Sequence, residues 1–184
     1  MPHGIVLIGF MGAGKSSIGR ALSRRLHLRL VDTDAAIEAE TGQTISQLFA
    51  ARGEVTFRGI ETQFLERLAH QKAAIVATGG GVVTRPENWP LLRRLGVIVY
   101  LKASPDVLFE RVRKHSHRPL LQTENPRDAF DRLLSSRVAL YEQADMIVET
   151  AQRRPHEVAA LLAERLRREG LVRSPAHHNE KQTQ

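Results

Sequence analysis

A glycine-rich loop near the start of the chain has the composition and spacing of a site for nucleotide phosphates. Gly9–Ser16 has the sequence Gly-Phe-Met-Gly-Ala-Gly-Lys-Ser, which fits the Walker A pattern. An apolar stretch precedes it and apolar residues at helical spacing follow it, as this motif requires. In such a loop backbone N–H groups surround a phosphate, Lys15 reaches the β- and γ-phosphates, and the Ser16 hydroxyl ligates Mg²⁺. The residues predicted to bind ATP here are Gly12, Ala13, Gly14, Lys15, Ser16 and Ser17.

Two carboxylates, Asp32 and Asp34, follow the second apolar stretch, where ligands of open α/β folds bind. Taken alone, they fit a helix cap and an acid in the first helical turn, which the helix dipole favours. A phosphate loop earlier in the chain favours a catalytic interpretation instead. Asp32 is then a candidate for the Mg²⁺ shell together with Ser16. Asp34 is a candidate to accept a hydrogen bond from the hydroxyl group that attacks ATP.

The complete set of motifs resembles that of the shikimate kinase family. The set consists of Gly9–Ser16, Asp32-Thr-Asp34, Phe57-Arg58 with Glu61, Gly79–Gly81 and Arg118-Pro-Leu-Leu, and the likeness extends over about residues 4–168. It implies a three-layer α/β/α fold of the P-loop kinase type, with a five-stranded parallel sheet in the order 2-3-1-4-5. It also implies transfer of the ATP γ-phosphoryl group to the 3-hydroxyl of shikimate, a step towards chorismate and the aromatic amino acids.

The resemblance further implies which residues bind the acceptor, and their chemistry suits it. Shikimate carries a carboxylate and hydroxyl groups; an arginine fork clamps a carboxylate, and a glycine leaves its backbone N–H accessible. In isolation Arg58 fits an ordinary surface arginine, and the glycines fit a turn. Their shared context favours a binding site. The implied substrate ligands are Asp34, Phe57, Arg58, Gly79, Gly80, Gly81 and Arg137.

Two more arginines are implied to contact ATP. Arg118 lies in a polar stretch with two prolines, which we interpret as a mobile lid at about residues 113–126 that brings a positive charge to the γ-phosphoryl group. Arg153 matches a position that packs on adenine, with the neighbouring Arg154 as an alternative. The reaction is then a direct in-line transfer without a covalent intermediate. The catalytic candidates are Lys15, Asp34 and Arg118.

The elements that must position these residues alternate between strand and helix along the chain. Apolar stretches predict strands at 4–8, 28–31, 73–78, 97–101 and 146–149. Helical periodicity with caps and breakers predicts helices at 14–26, 34–40, 44–52, 54–70, 86–95, 104–114, 128–141 and 155–169. This alternation predicts a parallel sheet with helices on both faces. We expect one domain over residues 1–173 and a disordered polar tail at 174–184.

Composition narrows the possible chemistry. The chain has 184 residues, of which 42% are hydrophobic, and no cysteine. The lack of cysteine excludes disulfides, thiolate metal sites and cysteine nucleophiles, so a metal ion must have oxygen ligands, which suits Mg²⁺. No run of eighteen apolar residues and no leader pattern is present, so we expect a cytoplasmic protein without a membrane partner.

The formal net charge of +7 raises the question of nucleic acid binding. The basic residues are spread over predicted helix faces and often lie near acids, which favours a solvated surface, so we expect no nucleic acid partner. Two rival functions stay open at this point: a gluconate kinase of the same fold, and a catalytically silent ligand sensor. We expect a monomer whose small-molecule partners are ATP and shikimate.

Overall fold

A computed structural model of the chain describes residues 4–72, 74–113 and 124–172. At its centre lies a five-stranded sheet in which all neighbouring strands are parallel, in the order β2-β3-β1-β4-β5. This confirms the fold class and the strand order expected from the sequence. The strands are β1 (Gly4–Ile8), β2 (Leu30–Asp32), β3 (Ile75–Ala77), β4 (Gly96–Lys102) and β5 (Met146–Glu149).

The register of the sheet brings the loops after three strands to one edge. Leu7 of β1 and Asp32 of β2 both pair with Ala77 of β3. The chain therefore leaves β1, β2 and β3 at the same level, towards the glycine-rich loop, the two aspartates and the three glycines. In open α/β folds this carboxyl edge is where ligands bind.

Helices flank the sheet, with α1 packed against α7 and α3 packed against α4. A short 3₁₀ turn at Val82–Thr84 follows the three glycines and was not predicted from the sequence. None of the helices within the described residues has the length and apolar composition needed to cross a bilayer. The helices are α1 (Lys15–Leu26), α2 (Thr33–Thr41), α3 (Ile45–Leu68), α4 (Asn88–Leu95), α5 (Pro105–Arg113), α6 (Pro126–Tyr141) and α7 (Pro155–Arg168).

Some predicted boundaries are wrong, for identifiable reasons. The strand predicted from residue 28 begins at Leu30, because His27 ends α1 in the left-handed conformation and the Ser23 hydroxyl donates to the carbonyl oxygen of Leu28. By contrast, the break predicted at Gly53 is confirmed: the helices predicted at 44–52 and 54–70 are the two parts of α3, and they meet at Gly53, where the backbone is not helical (φ 75°, ψ 167°). Residue 73, most of the predicted lid and the predicted tail at 174–184 lie outside the described residues.

Packing anchors the glycine-rich loop to the rest of the molecule. All of β1 is buried, and Phe10, at the start of the loop, is only 1% exposed. The Phe10 ring meets Phe130 of α6 edge-on, with 5.0 Å between the ring centroids. Such a contact contributes about 0.5–1.5 kcal/mol beyond the area that it buries. The loop is therefore tied to α6 as well as to β1 and α1.

The end of α1 offers a test of the local backbone. His27 has φ 54°, the left-handed conformation, in which a Cβ atom is strained and glycine is not. We expect His27→Gly to raise the free energy of unfolding by about 1 kcal/mol, measured by urea denaturation. His27→Ala keeps the Cβ atom and is the control, with no gain expected. Equal gains in both variants would mean that the imidazole, and not the backbone, limits stability here.

Candidate active site

The first turn of α1 has the features of an anion site. Gly14 precedes the helix with φ 91°, no side chain of the described residues caps the helix, and no acid lies in its first turn. The backbone N–H groups of this turn have no intrahelical partners, and the helix dipole adds a partial positive charge. A phosphate group would satisfy both.

Lys15 and Ser16 are held in defined positions beside these amides. The Lys15 amine donates to the carbonyl oxygens of Gly9 and Phe10, at 2.6 and 3.1 Å. The Ser16 hydroxyl donates to Oδ2 of Asp32 at 2.5 Å. Oδ1 of Asp32 also accepts the amide of Ala35 at 3.4 Å, so Asp32 caps α2 as well. A hydroxyl and a carboxylate side by side are oxygen ligands of the kind that Mg²⁺ takes.

These groups line one cavity of about 510 Å³. Its wall combines the glycine-rich loop and the start of α1 with Asp32, Asp34 and Gly80 from the neighbouring strand ends. Arg111, Thr150 and Arg153 complete the wall on the side of β4 and β5. The size of the cavity and its mixture of amides, cations and carboxylates suit a charged ligand.

Arg111 links two sides of this cavity and was not identified as a site residue from the sequence. Its guanidinium donates to the carbonyl oxygen of Gly12 at 3.2 Å and to that of Thr150 at 3.0 Å. It therefore ties the glycine-rich loop to the segment after β5. No motif in the sequence marks it, since a basic residue in the last turn of a helix is common.

Asp34 faces the cavity with one oxygen sequestered. Its Oδ1 is buried and has no hydrogen-bond partner among the described residues. Burial raises the pKa of Asp34; the positive charge of Lys15 opposes this rise, and the negative charge of Asp32 adds to it. A carboxylate in this state can accept a proton more readily than a solvated one.

A buried ion pair lies behind Asp34. Arg58 is 9% exposed and Glu61 is fully buried, and Nη1 of Arg58 lies 2.8 Å from Oε2 of Glu61. Arg58 also contacts the exposed Glu54 at 3.2 Å and lies over the rings of Phe57 and Phe49. Burial raises the pKa of Glu61, and Arg58 opposes this rise. Arg58 is therefore not the ordinary surface arginine that its type alone would suggest.

Two of the three glycines, Gly79 and Gly81, fit against this pair because they lack side chains. A Cβ atom on Gly79 would lie 2.7 Å from both Oδ1 of Asp34 and Oε1 of Glu61. A Cβ atom on Gly81 would overlap the guanidinium of Arg58. The glycine segment therefore packs directly against Asp34, Glu61 and Arg58.

Hydrogen bonds from several elements hold the glycine segment. Gly79 donates its amide to the Thr33 hydroxyl at 3.1 Å. The carbonyl oxygen of Gly80 accepts the Tyr141 hydroxyl at 2.5 Å and, at 3.5 Å, Nη1 of Arg137. Arg137 also lies over the Phe10 ring, 5.9 Å from its centroid. No motif or spacing in the sequence marks Tyr141.

The structure brings together nearly all of the predicted site residues that it describes. Of the predicted substrate ligands, only Asp34 and Gly80 line the cavity. Arg137 approaches it through Gly80, and Phe57 is buried beneath Arg58. Of the two neighbouring arginines, Arg153 lines the cavity, whereas the backbone amide of Arg154 bonds Glu157 at the start of α7. Arg118, the predicted lid arginine, lies outside the described residues.

Comparison with known proteins gives consistent matches. The family model described as shikimate kinase matches residues 11–167. The shikimate kinase of Thermodesulfovibrio yellowstonii is 46% identical over 155 residues, covering 84% of this chain and 90% of that protein. That of Ralstonia nicotianae is 42% identical over 94% of this chain and 91% of that protein. The structure of shikimate kinase from Acinetobacter baumannii in complex with shikimate matches with a TM-score of 0.87 and 38% identity, covering 92% of this chain and 95% of that one.

The contact between Gly81 and Arg58 can be tested through stability. Gly81→Ala places a methyl group where the guanidinium lies, so Arg58 must leave Glu61, and we expect a loss of about 1–3 kcal/mol in the free energy of unfolding. Gly80→Ala is the control, because its Cβ atom would meet nothing closer than 3.6 Å. Urea denaturation of both variants measures the difference. Equal losses would mean that the glycines matter for their backbone and not for the room they leave.

Proposed function

Because the chain belongs to the shikimate kinase family, we propose that the cavity at the carboxyl edge of the sheet is where it carries out the reaction of that family. The chain transfers the γ-phosphoryl group of ATP to the 3-hydroxyl of shikimate. One observation carries the proposed location: Lys15 and Asp34 line the same cavity. The first suits a phosphate and the second suits a hydroxyl group.

We propose that the phosphates of ATP bind at the start of α1. The uncapped first turn supplies backbone N–H groups, and Lys15, fixed by two carbonyl oxygens, supplies a positive charge near the β- and γ-phosphates. Arg153 lines the far side of the cavity, which supports its proposed packing on adenine. ATP would then extend from α1 towards the segment after β5.

Phosphoryl transfer from ATP generally requires a divalent metal ion, and we propose Mg²⁺ here. The Ser16 hydroxyl and the Asp32 carboxylate, 2.5 Å apart, are the residues that would hold it. Mg²⁺ usually takes few protein ligands and several phosphate and water oxygens, which fits a pair of side chains. When bound, the ion neutralises charge on the phosphates.

We propose that shikimate binds above the three glycines. Arg58, held against Glu61, and Arg137, held near Gly80, are two cations placed to clamp the carboxylate of the substrate. Phe57 supports Arg58 from below and would act through it. The amides of Gly80 and Gly81, which have no partner among the described residues, are available to substrate oxygens.

In this arrangement Asp34 accepts the proton of the attacking hydroxyl, or orients that hydroxyl by a hydrogen bond. Its raised pKa brings it closer to the pH at which a general base works well. Lys15 and the amides of α1 stabilise the charge on the transferred group. Arg118 as the lid arginine, the cytoplasmic location and the monomeric state remain predictions from the sequence.

A coupled assay of ADP release tests the function directly. With shikimate, quinate and gluconate as acceptors, we expect shikimate to give the highest kcat/KM. Gluconate should be at least about a hundredfold poorer, because it lacks the ring that would align a carboxylate with Arg58 and a hydroxyl with Asp34. A preference for gluconate would support a sugar-acid kinase of the same fold. No turnover with any acceptor would support a catalytically silent ligand sensor.

The two aspartates allow a matched pair of substitutions. Asp34→Asn keeps its size but loses its charge, so we expect kcat to fall by about a hundredfold while the affinity for Mg-ATP is kept. Asp32→Asn weakens the bond to Ser16, so the Mg²⁺ concentration needed for half-maximal rate should rise instead. Steady-state kinetics with magnesium titrations separate the two effects. If Asp34→Asn lost Mg-ATP affinity but kept its rate, the roles of the two aspartates would have to be exchanged.

A further inference from the structure

A buried tyrosine, Tyr141, hydrogen-bonds to the middle residue of the glycine segment Gly79–Gly81. The other two carbonyl oxygens of the segment are held by residues that follow closely: Gly79 accepts the amide of Val82 at 3.3 Å, and Gly81 accepts the amide and the hydroxyl of Thr84. The carbonyl oxygen of Gly80 is held instead by the Tyr141 hydroxyl, from the last residue of α6. It is thus the only one of the three carbonyl oxygens that, among the described residues, is held by a side chain from another helix.

That bond fixes more than a carbonyl group. The peptide unit is planar and trans, so the N–H of Gly81 lies on the edge opposite the carbonyl oxygen of Gly80. When Tyr141 holds the oxygen, the direction of this N–H is set as well. Glycine has more rotational freedom than any other residue, so a segment of three glycines needs such an anchor to present an amide in one direction.

The surroundings of Tyr141 keep its hydroxyl protonated and able to donate a hydrogen bond. Tyr141 is fully buried, and its ring stacks on Tyr100 with the centroids 5.1 Å apart. Burial raises the pKa of the Tyr141 phenol, with Arg137 opposing this rise, so the hydroxyl keeps its proton at physiological pH. Arg137 approaches the same carbonyl oxygen, so one acceptor organises both the phenol and a guanidinium.

We propose that Tyr141 is a positioning residue for the acceptor substrate: its hydroxyl orients the Gly80–Gly81 peptide and, through the shared carbonyl oxygen, the Arg137 guanidinium. Tyr141 is fully buried and its hydroxyl is engaged with Gly80, so it acts through these two groups and not by touching the substrate. The inference rests on the proposed placement of shikimate above the glycines. If shikimate binds there, Tyr141 contributes to the affinity for shikimate by fixing the groups that contact it.

Tyr100 provides a matched control. It is equally a buried tyrosine, 2% exposed, and belongs to the same stacked pair. Its hydroxyl makes no hydrogen bond to the described residues, and its pKa is raised to about 12, mainly by burial. Tyr100→Phe and Tyr141→Phe therefore remove the same atom from neighbouring rings, and only the second breaks the bond to Gly80.

The test is steady-state kinetics of both variants with each substrate varied in turn. We expect Tyr141→Phe to raise the KM for shikimate by about tenfold and to leave the KM for ATP within about twofold, because one hydrogen bond on the acceptor side is lost. Tyr100→Phe should change neither constant. An unchanged KM for shikimate in Tyr141→Phe would overturn the proposal, as would equal increases in both KM values.

A second measurement does not depend on the folding of Tyr141→Phe. The chain has two tyrosines, so Tyr100→Phe protein grown with 3-fluorotyrosine carries one fluorine label, at position 141. Its ¹⁹F resonance should shift on titration with shikimate and reach a plateau at saturation. No shift with shikimate, or the same shift with ATP alone, would overturn the proposal.

Wild-type turnover of shikimate, measured beside these variants, separates the inference from the function it rests on. If the wild-type protein phosphorylates shikimate and Tyr141→Phe behaves like Tyr100→Phe, the role of Tyr141 is wrong and the function stands. If the wild-type protein does not phosphorylate shikimate, the function itself fails.

Discussion

In a parallel sheet, residues that pair across neighbouring strands lie at one height, and the chain leaves each strand in the same direction. Leu7, Ala77 and Asp32 form such a row. Three polar parts of the site follow from it: the glycine-rich loop, the three glycines and the two aspartates start from one level and converge without long loops. A shift of one residue in β2 would move Asp32 away from Ser16 and also turn it to the opposite face of the sheet.

The acceptor side of the site is organised by charges removed from water. Removing an isolated carboxylate from water is costly, and the cost falls only when a cation and hydrogen bonds accompany it. Glu61 meets this condition at one oxygen, Oε2, through Arg58, which is supported in turn by Glu54 and two aromatic rings; its Oε1 is buried without a hydrogen-bond partner among the described residues. The guanidinium then has little freedom, so it is already oriented when a substrate arrives. Rigidity at this point suits the recognition of a single acceptor.

The sequence predicted the parts of the molecule that are set by local patterns. Walker A spacing, apolar periodicity and the Asp-Thr-Asp motif predicted β1, α1 and the part of the cavity lined by the glycine-rich loop, Asp32 and Asp34, because each depends on neighbours along the chain. The structure adds what depends on distant contacts. Tyr141 meets Gly80 across 61 residues, and Arg111 meets Gly12 across 99, so neither partner is marked by spacing. The left-handed end of α1 at His27 was likewise missed, since glycine is the usual signal for it.

The position of β1 in the middle of the sheet also matters while the protein is being made. Among the strands of this sheet β1 is synthesised first, yet its two neighbours are β3, at Ile75–Ala77, and β4, which begins at Gly96. At ordinary rates of translation, roughly 4 to 14 s pass before the first of these partners has been synthesised. During that interval a fully apolar strand has no native partner with which to pair. An apolar segment that is exposed in this way during synthesis is prone to aggregate until its partners follow.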